Sequence, residues 1–166
     1  MKHMIAALML AGPIAAFAAS NPDAAFFKNA AEAGISEVEV GKLAQDKASS
    51  QKVKDFGAMM VSDHSAANDK LKALAASKDV SLPSSSGVGQ MATKAKLEVL
   101  SGETFDKSYI KGQLKAHRGA VALFKKESGT GQDPEAKAFA TATLPTLRSH
   151  LKAVTALATE AGVSTK

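Results

Sequence analysis

The most regular pattern in this chain is the stretch VKDFGAMMVSDHSAANDKLKAL, residues 53–74, whose apolar side chains recur every three or four positions. That spacing places them on one face of an α-helix. The intervening positions carry mostly lysine, aspartate and asparagine, as expected of a solvent-facing side. The stretch therefore predicts a helix over about residues 51–78, capped by Ser49 or Ser50. Its apolar face consists of Val53, Phe56, Met60, His64, Ala67, Leu71 and Leu74.

Three more long helices are predicted on either side of this one. They cover about residues 22–47, residues 103–128, and a segment that begins at Pro134 and runs beyond residue 157. Asn21 and Asp133 are the expected N-caps, because each precedes a proline suited to the first helical turn. No alternating pattern typical of β-strands stands out.

The segment between the two middle helices differs in composition. Pro83 and the Ser-Ser-Ser-Gly run after it predict a surface loop. A short helix is expected over residues 88–100, with Val88, Met91, Ala95 and Val99 on its packed side. This segment is long enough to travel along a bundle of helices.

The lengths of the connections predict the architecture. Short turns join the first two long helices and the last two, and a long segment joins the pairs. We therefore expect an all-α, ferritin-like four-helix bundle, in which two helical hairpins are joined by a long crossover that contains a short helix. A simple up-and-down order is the alternative, if the middle segment packs across one end.

Each long helix carries one polar residue near the middle of its apolar face: Glu37, His64, His117 and His150. Helical bundles build metal sites from such inward-facing side chains at a shared height. A buried carboxylate needs a partner, since burying it alone is costly. Glu37 is therefore expected to meet either a protonated histidine or a metal ion that all four residues bind. The donor set suits one transition metal ion, Zn, Cu or Fe.

Other polar residues lie close to these four in the sequence. Asp63 adjoins His64, Gln113 is one turn from His117, and Thr143 is two turns from His150. Imidazoles that bind metals usually donate their second nitrogen to such groups. Asp106 is expected at a helix N-terminus, where the helix dipole favours a negative charge.

Residues 1–18 have the features of a secretory signal peptide. Lys2 precedes an apolar run from Met4 to Phe17, and residues 16–18 read Ala-Phe-Ala, a typical cleavage pattern. The run is too short for a transmembrane helix. Cleavage after Ala18 would leave a single exported domain over residues 19–166 with no transmembrane span, located in the periplasm where the cell has two membranes.

The composition argues against several classes of function. Without cysteine the chain has no disulfide, no thiolate ligand and no cysteine nucleophile. The net charge of +5, from 21 basic and 16 acidic residues, is spread over single lysines. That distribution, with few aromatic residues, argues against nucleic acid and permits weak contact with anionic envelope components. No serine nucleophile elbow and no complete nucleotide-binding fingerprint occur.

Three stretches of the chain together form a recognisable pattern: FFKNAAEAGISEVEVGKLAQDKASSQKVKDFGAMMVSDHSAANDKLKALAASKDVSLP (26–83), GETFDKSYIKGQLKAHRGAVALF (102–124) and AFATATLPTLRSHL (138–151). The most specific motifs are Asp63-His64, Phe105-Asp106, His117, and Leu144-Pro145 followed by His150. With these motifs the chain resembles a bacterial family, DUF4142, a domain of unknown function. The resemblance implies an exported, ferritin-like four-helix bundle without an established activity, and members are often labelled outer-membrane proteins.

The di-iron proteins of the wider ferritin-like group use a Glu-x-x-His motif on two helices. Here Val61, Leu114 and Leu147 occupy the positions three residues before the histidines. The missing glutamates argue against a ferroxidase or oxygenase.

We therefore predict a periplasmic helical-bundle protein that binds a single transition metal, with a role in envelope stress protection rather than turnover. The alternative is a non-catalytic envelope interaction or structural module whose histidines form a hydrogen-bonded core network. A redox enzyme that acts on peroxide or superoxide is the third interpretation.

Overall fold

The computed structural model describes residues 21–165, which contain five α-helices and no β-strand. The limits of every helix agree with the prediction to within two residues, and the all-α class is confirmed. The predicted signal peptide, residues 1–18, lies outside the described residues. The helices are α1 (Ala24–Lys47), α2 (Gln51–Ser77), α3 (Val88–Glu98), α4 (Gly102–Thr130) and α5 (Pro134–Glu160).

The four long helices pack side by side, and each has two principal neighbours. Helix α1 packs against α2 and α4, and α5 packs against the same two helices. The connections within the pairs α1–α2 and α4–α5 are only three residues long, so each pair is an antiparallel hairpin.

Hydrogen bonds at the two ends of the molecule show how the hairpins are oriented. Ser49, just after α1, donates from its backbone N–H and its hydroxyl to Asp106, near the start of α4. Asp23, just before α1, accepts from the backbone N–H groups of Gln132 and Asp133, just after α4. Helices α1 and α4 therefore run in opposite directions, and α2 and α4 run in the same direction. The segment that joins them, which includes α3, must pass from one end of the molecule to the other.

The packed side of α3 differs from the prediction. Val88, Met91 and Val99 are 85%, 53% and 83% exposed, and Ala95 is exposed too. Leu97 is the buried residue of this helix, and Lys94 forms an ion pair with Glu39 of α1. The predicted side is wrong because α3 lies over the edge formed by α1 and α4, where the position of Leu97 decides which face turns inward.

The positions of the N-caps follow the prediction for α5 and α2 and depart from it for α1. Asp133 caps α5 as predicted and accepts from the N–H groups of Glu135 and Ala136 at 2.9 and 3.1 Å. Asn21 instead accepts from the N–H of Asp23, which is the N-cap of α1.

Ser50 is the N-cap of α2, but its side chain forms no capping hydrogen bond. The carboxylate of Asp106 takes that role and accepts from Ser49 N, Ser49 Oγ and Ser50 N at 3.1, 2.5 and 2.9 Å. Asp106 therefore neutralises the N-terminus of a neighbouring helix, and the expectation that it serves its own helix needs this correction.

The core consists of two apolar clusters, one toward each end of the helices. The first contains Phe56, Met60 and Tyr109, and the second contains Phe27 and Leu71. Each long helix contributes residues to both clusters. On every one of these helices, the residue predicted for the site lies between the residues of the first cluster and those of the second. The fold thus leaves a polar layer at mid-height, with apolar packing above and below it. Within residues 21–165, no helix has the length and hydropathy of a membrane span.

Candidate metal centre

Three imidazoles from three helices meet in the polar layer. His64 of α2, His117 of α4 and His150 of α5 are all buried. Their ring centroids are separated by 5.7 Å (His64–His117), 5.5 Å (His64–His150) and 5.4 Å (His117–His150). One ring nitrogen of each residue lies within 4.8 Å of those of the other two. The structure thus brings three of the four predicted residues to a common point.

Hydrogen bonds orient two of these rings. His117 donates from Nδ1 to the backbone carbonyl of Gln113 at 3.1 Å, because a carbonyl can only accept. His150 Nε2 lies 2.9 Å from a carboxylate oxygen of Asp63 and donates to it in the neutral ring. These bonds leave lone pairs on His117 Nε2 and His150 Nδ1. Both atoms, together with His64 Nε2, are buried and have no hydrogen-bond partner.

Burial keeps two of the imidazoles, those of His64 and His117, unprotonated. Burial, together with smaller effects of repulsion from His117 and His150, lowers the pKa of His64 to about 3. Burial, with repulsion from His150, lowers the pKa of His117 to about 4 against a smaller opposing effect of its hydrogen bond to Gln113. At pH 7 both rings are neutral, which is the form that binds a metal ion.

Glu37 is buried but is not a member of the three-histidine group. Its carboxyl accepts a hydrogen bond of 2.7 Å from the side-chain amide of Gln113, one turn before His117. Burial raises the pKa of Glu37 to about 7, and the hydrogen bond from Gln113 opposes that rise only partly. Glu37, the fourth predicted residue, is therefore linked to His117 by way of Gln113, which hydrogen-bonds to both. Among the described residues, no basic side chain forms a hydrogen bond with Glu37.

Three residues, Asp63, Gln113 and Thr143, are predicted to hydrogen-bond to the imidazole rings, and two of them do so. Gln113 accepts from His117 through its backbone carbonyl, while its side chain, the predicted supporting group, donates to Glu37. Asp63 contacts His150 rather than the adjacent His64. Thr143 donates to the carbonyl of Phe139 in its own helix.

Sequence reasoning did not find Tyr109. Its side chain is almost fully buried, and its hydroxyl has no hydrogen-bond partner. The signal was present in the spacing, because Tyr109 lies one turn before Gln113 on the same face of α4.

A cavity of about 490 Å³ leads from this layer toward the surface between α1 and α4, beside α3. Glu37, His64, Tyr109, Gln113 and His117 line its polar part. The site is thus accessible from one side of the molecule.

The fold and the site define a class of protein: an all-helical domain with a buried cluster of three histidines. The chain belongs to the DUF4142 family, a domain of unknown function, which it matches over residues 9–157.

Among solved structures, the chain is similar to a protein from Streptomyces coelicolor that is described as a secreted DUF305 protein. The TM-score is 0.73, and the sequences are 18% identical. The similarity covers 88% of this chain and 96% of the other. This likeness supports the all-helical fold. The comparison with curated proteins gave no significant match.

Proposed function

We propose that this protein binds one transition metal ion through His64, His117 and His150. The observation that carries the proposal is the convergence of three buried imidazoles from three separate helices, with one ring nitrogen of each within 4.8 Å of those of the other two. Each ring also has a buried nitrogen without a hydrogen-bond partner among the described residues, and buried polar atoms are normally paired. A divalent cation would supply the missing partner, since neutral imidazole is a preferred ligand of Zn, Cu and Fe.

The surroundings of the rings support the same proposal. A metal-binding imidazole usually donates its second nitrogen to a carboxylate or a backbone carbonyl. His150 has such a bond to Asp63, and His117 has one to Gln113. Three imidazoles also match tetrahedral sites that keep one position for another ligand.

The rival interpretation, a hydrogen-bonded histidine network in an envelope module, explains less. A network would join the imidazoles to one another, yet each ring keeps an unpaired nitrogen. Mutual hydrogen bonds would also require nitrogen–nitrogen distances of about 3 Å and alternating donors.

We further propose a ferritin-like architecture and export to the periplasm, with a role in envelope stress protection. The hairpin directions and the long connection through α3 support the proposal of a ferritin-like bundle. The N-terminal pattern supports export, and the similar Streptomyces coelicolor protein is described as secreted. Metal binding without turnover fits a chain that lacks the Glu-x-x-His ligands of di-iron enzymes.

Metal content tests the proposed site. The full chain is treated with a chelator, dialysed separately against Zn²⁺, Cu²⁺ and Fe²⁺, freed of loose metal and measured by mass spectrometry of the elements. We expect close to one ion per chain for at least one metal. The variants His117→Gln and His150→Gln should lose the ion. Tyr109→Phe, a change in the same core that removes no ligand, should retain it.

Two outcomes would reject the metal site. The first is wild-type protein without a retained ion under all three conditions. The second is histidine variants that keep the ion while losing stability, which is what the rival network predicts.

A further inference from the structure

The cavity beside the imidazoles has a second polar group that metal binding leaves unused. Four buried atoms without hydrogen-bond partners belong to residues that line it: His64 Nε2, His117 Nε2, Gln113 Oε1 and Tyr109 Oη. The two imidazole atoms are assigned to the metal. The amide oxygen of Gln113 and the hydroxyl of Tyr109 remain, together with the carboxyl of Glu37.

These three groups are close neighbours. Gln113 donates its amide N–H to Glu37 at 2.7 Å, so its oxygen is the atom left over. Tyr109 lies one helical turn from Gln113, so both side chains leave α4 on the same face. An amide oxygen and a carboxylate only accept hydrogen bonds, whereas a phenol oxygen accepts and its O–H donates. The oxygens of Gln113, Glu37 and Tyr109 can thus all accept from a ligand that brings its own donors.

Cationic side chains are nearly absent from the cavity wall. Among residues 21–165, Lys115 is the one basic lining residue apart from the histidines, and it is exposed. Glu37 therefore has no cationic partner there. A ligand that brings its own positive charge would complete the group.

The remainder of the cavity is apolar and large enough for an organic molecule. Leu71, Phe124, Phe139 and Leu147 form part of its wall. Its volume of about 490 Å³ falls within the range of small-molecule sites, about 300–1,000 Å³. The part of the wall on α4 includes Gly112, where an added Cβ would meet only Thr93 at 3.9 Å.

We propose that this cavity binds a primary amine with a small apolar body, whose ammonium group donates to Glu37, Gln113 Oε1 and Tyr109 Oη. An ammonium carries three donors and no acceptor, which matches the three acceptors. A carboxylate ligand would be repelled by Glu37, and an alcohol offers only one donor. The site uses atoms other than the proposed metal ligands, so it stands independently of metal binding.

Calorimetric titration of the chelator-treated full chain tests this proposal with three probes of similar shape: 2-phenylethylamine, 2-phenylethanol and 3-phenylpropanoate. The amine is expected to bind at least about tenfold more tightly than the alcohol, because hydrogen bonds to charged groups are the stronger ones. The carboxylate should bind most weakly. Glu37→Gln keeps the size of the side chain and should abolish the preference for the amine over the alcohol.

A matched pair of substitutions on α4 tests the location. Gly112→Leu places a side chain in the cavity and should weaken amine binding at least tenfold. Gly129→Leu, at an exposed position of the same helix where a Cβ meets nothing within 4 Å, should leave it unchanged. Equal binding of the three probes, no binding of any probe, or an unchanged preference in Glu37→Gln would overturn the proposal. The Glu37→Gln result decides the matter even if Gly112→Leu does not fold, and none of these outcomes affects the metal measurement.

Discussion

Replacing Asp63 separates the contribution of its carboxylate to metal binding from its contribution to folding. Its Oδ2 lies 2.9 Å from His150 Nε2, and the two side chains differ sharply in exposure, 41% for Asp63 and 2% for His150. Asp63→Asn removes the charge but keeps an acceptor oxygen. Asp63→Ala removes the hydrogen bond as well. In both variants the three imidazoles remain.

The two effects have different expected magnitudes. Because Asp63 is half exposed, solvent screens its attraction to His150, and its contribution to the folding of the metal-free protein should be below about 1 kcal/mol. Its effect on the metal should be larger, since losing such a hydrogen-bond partner lowers metal affinity by about 10–100-fold. That range corresponds to about 1.4–2.7 kcal/mol of binding free energy. Asp63→Asn should fall near the lower limit and Asp63→Ala near the upper.

Competition titrations with a chromophoric chelator give the affinities, and urea denaturation of the metal-free variants gives the stabilities. Asp55→Asn on the same helix is the matched control. The carboxylate of Asp55 accepts a hydrogen bond from Gln51 on the exposed surface and contacts none of the three histidines in its hydrogen bonding. Asp63 has no role in metal binding if Asp63→Ala binds the metal as tightly as the wild-type chain. The same follows if Asp55→Asn weakens metal binding as much as the Asp63 variants do. A loss of several kcal/mol in folding stability would also contradict the prediction, since it would mean that Asp63 mainly supports the fold.

Two further predictions concern the stability of the metal-free protein. Glu37 has a folded-state pKa of about 7, above its usual 4.5, so its contribution is favourable at low pH and is lost as the pH rises through 7. Glu37→Gln should therefore raise the free energy of unfolding at pH 8 by up to about 3 kcal/mol and bring little gain at pH 4. Urea denaturation at both pH values checks this, and an equal gain at both would contradict the assignment. Asp106→Ala leaves three donors at the start of α2 without their carboxylate, so it should lower the free energy of unfolding by about 2–4 kcal/mol. A loss below about 0.5 kcal/mol, measured the same way, would show that water replaces Asp106 at no cost.

Much of the fold was predictable because it is encoded locally. Spacing of three and four residues marks the helices, and proline with a capping residue marks where α5 begins. The height of the site could also be read from the sequence. A helix rises by a constant 1.5 Å per residue, so residues near the middle of helices of similar length must lie at similar heights. The same rule predicts that Glu37, His64, His117 and His150 lie at one height, and three of them, the histidines, converge on a common point.

The tertiary structure decided the contacts between segments that are distant in the chain. The partner of His150 is Asp63, 87 positions away, and Asp106 accepts from Ser50, the N-cap of α2, 56 positions earlier. Glu37 turns to Gln113, a choice that depends on the rotation of α1 relative to α4. The inward face of α3 depends on the surface onto which it packs. Local sequence cannot specify these features, because the rotation of a helix about its axis and the rotamers of its buried side chains are set by the shape and hydrogen-bonding groups of its neighbours.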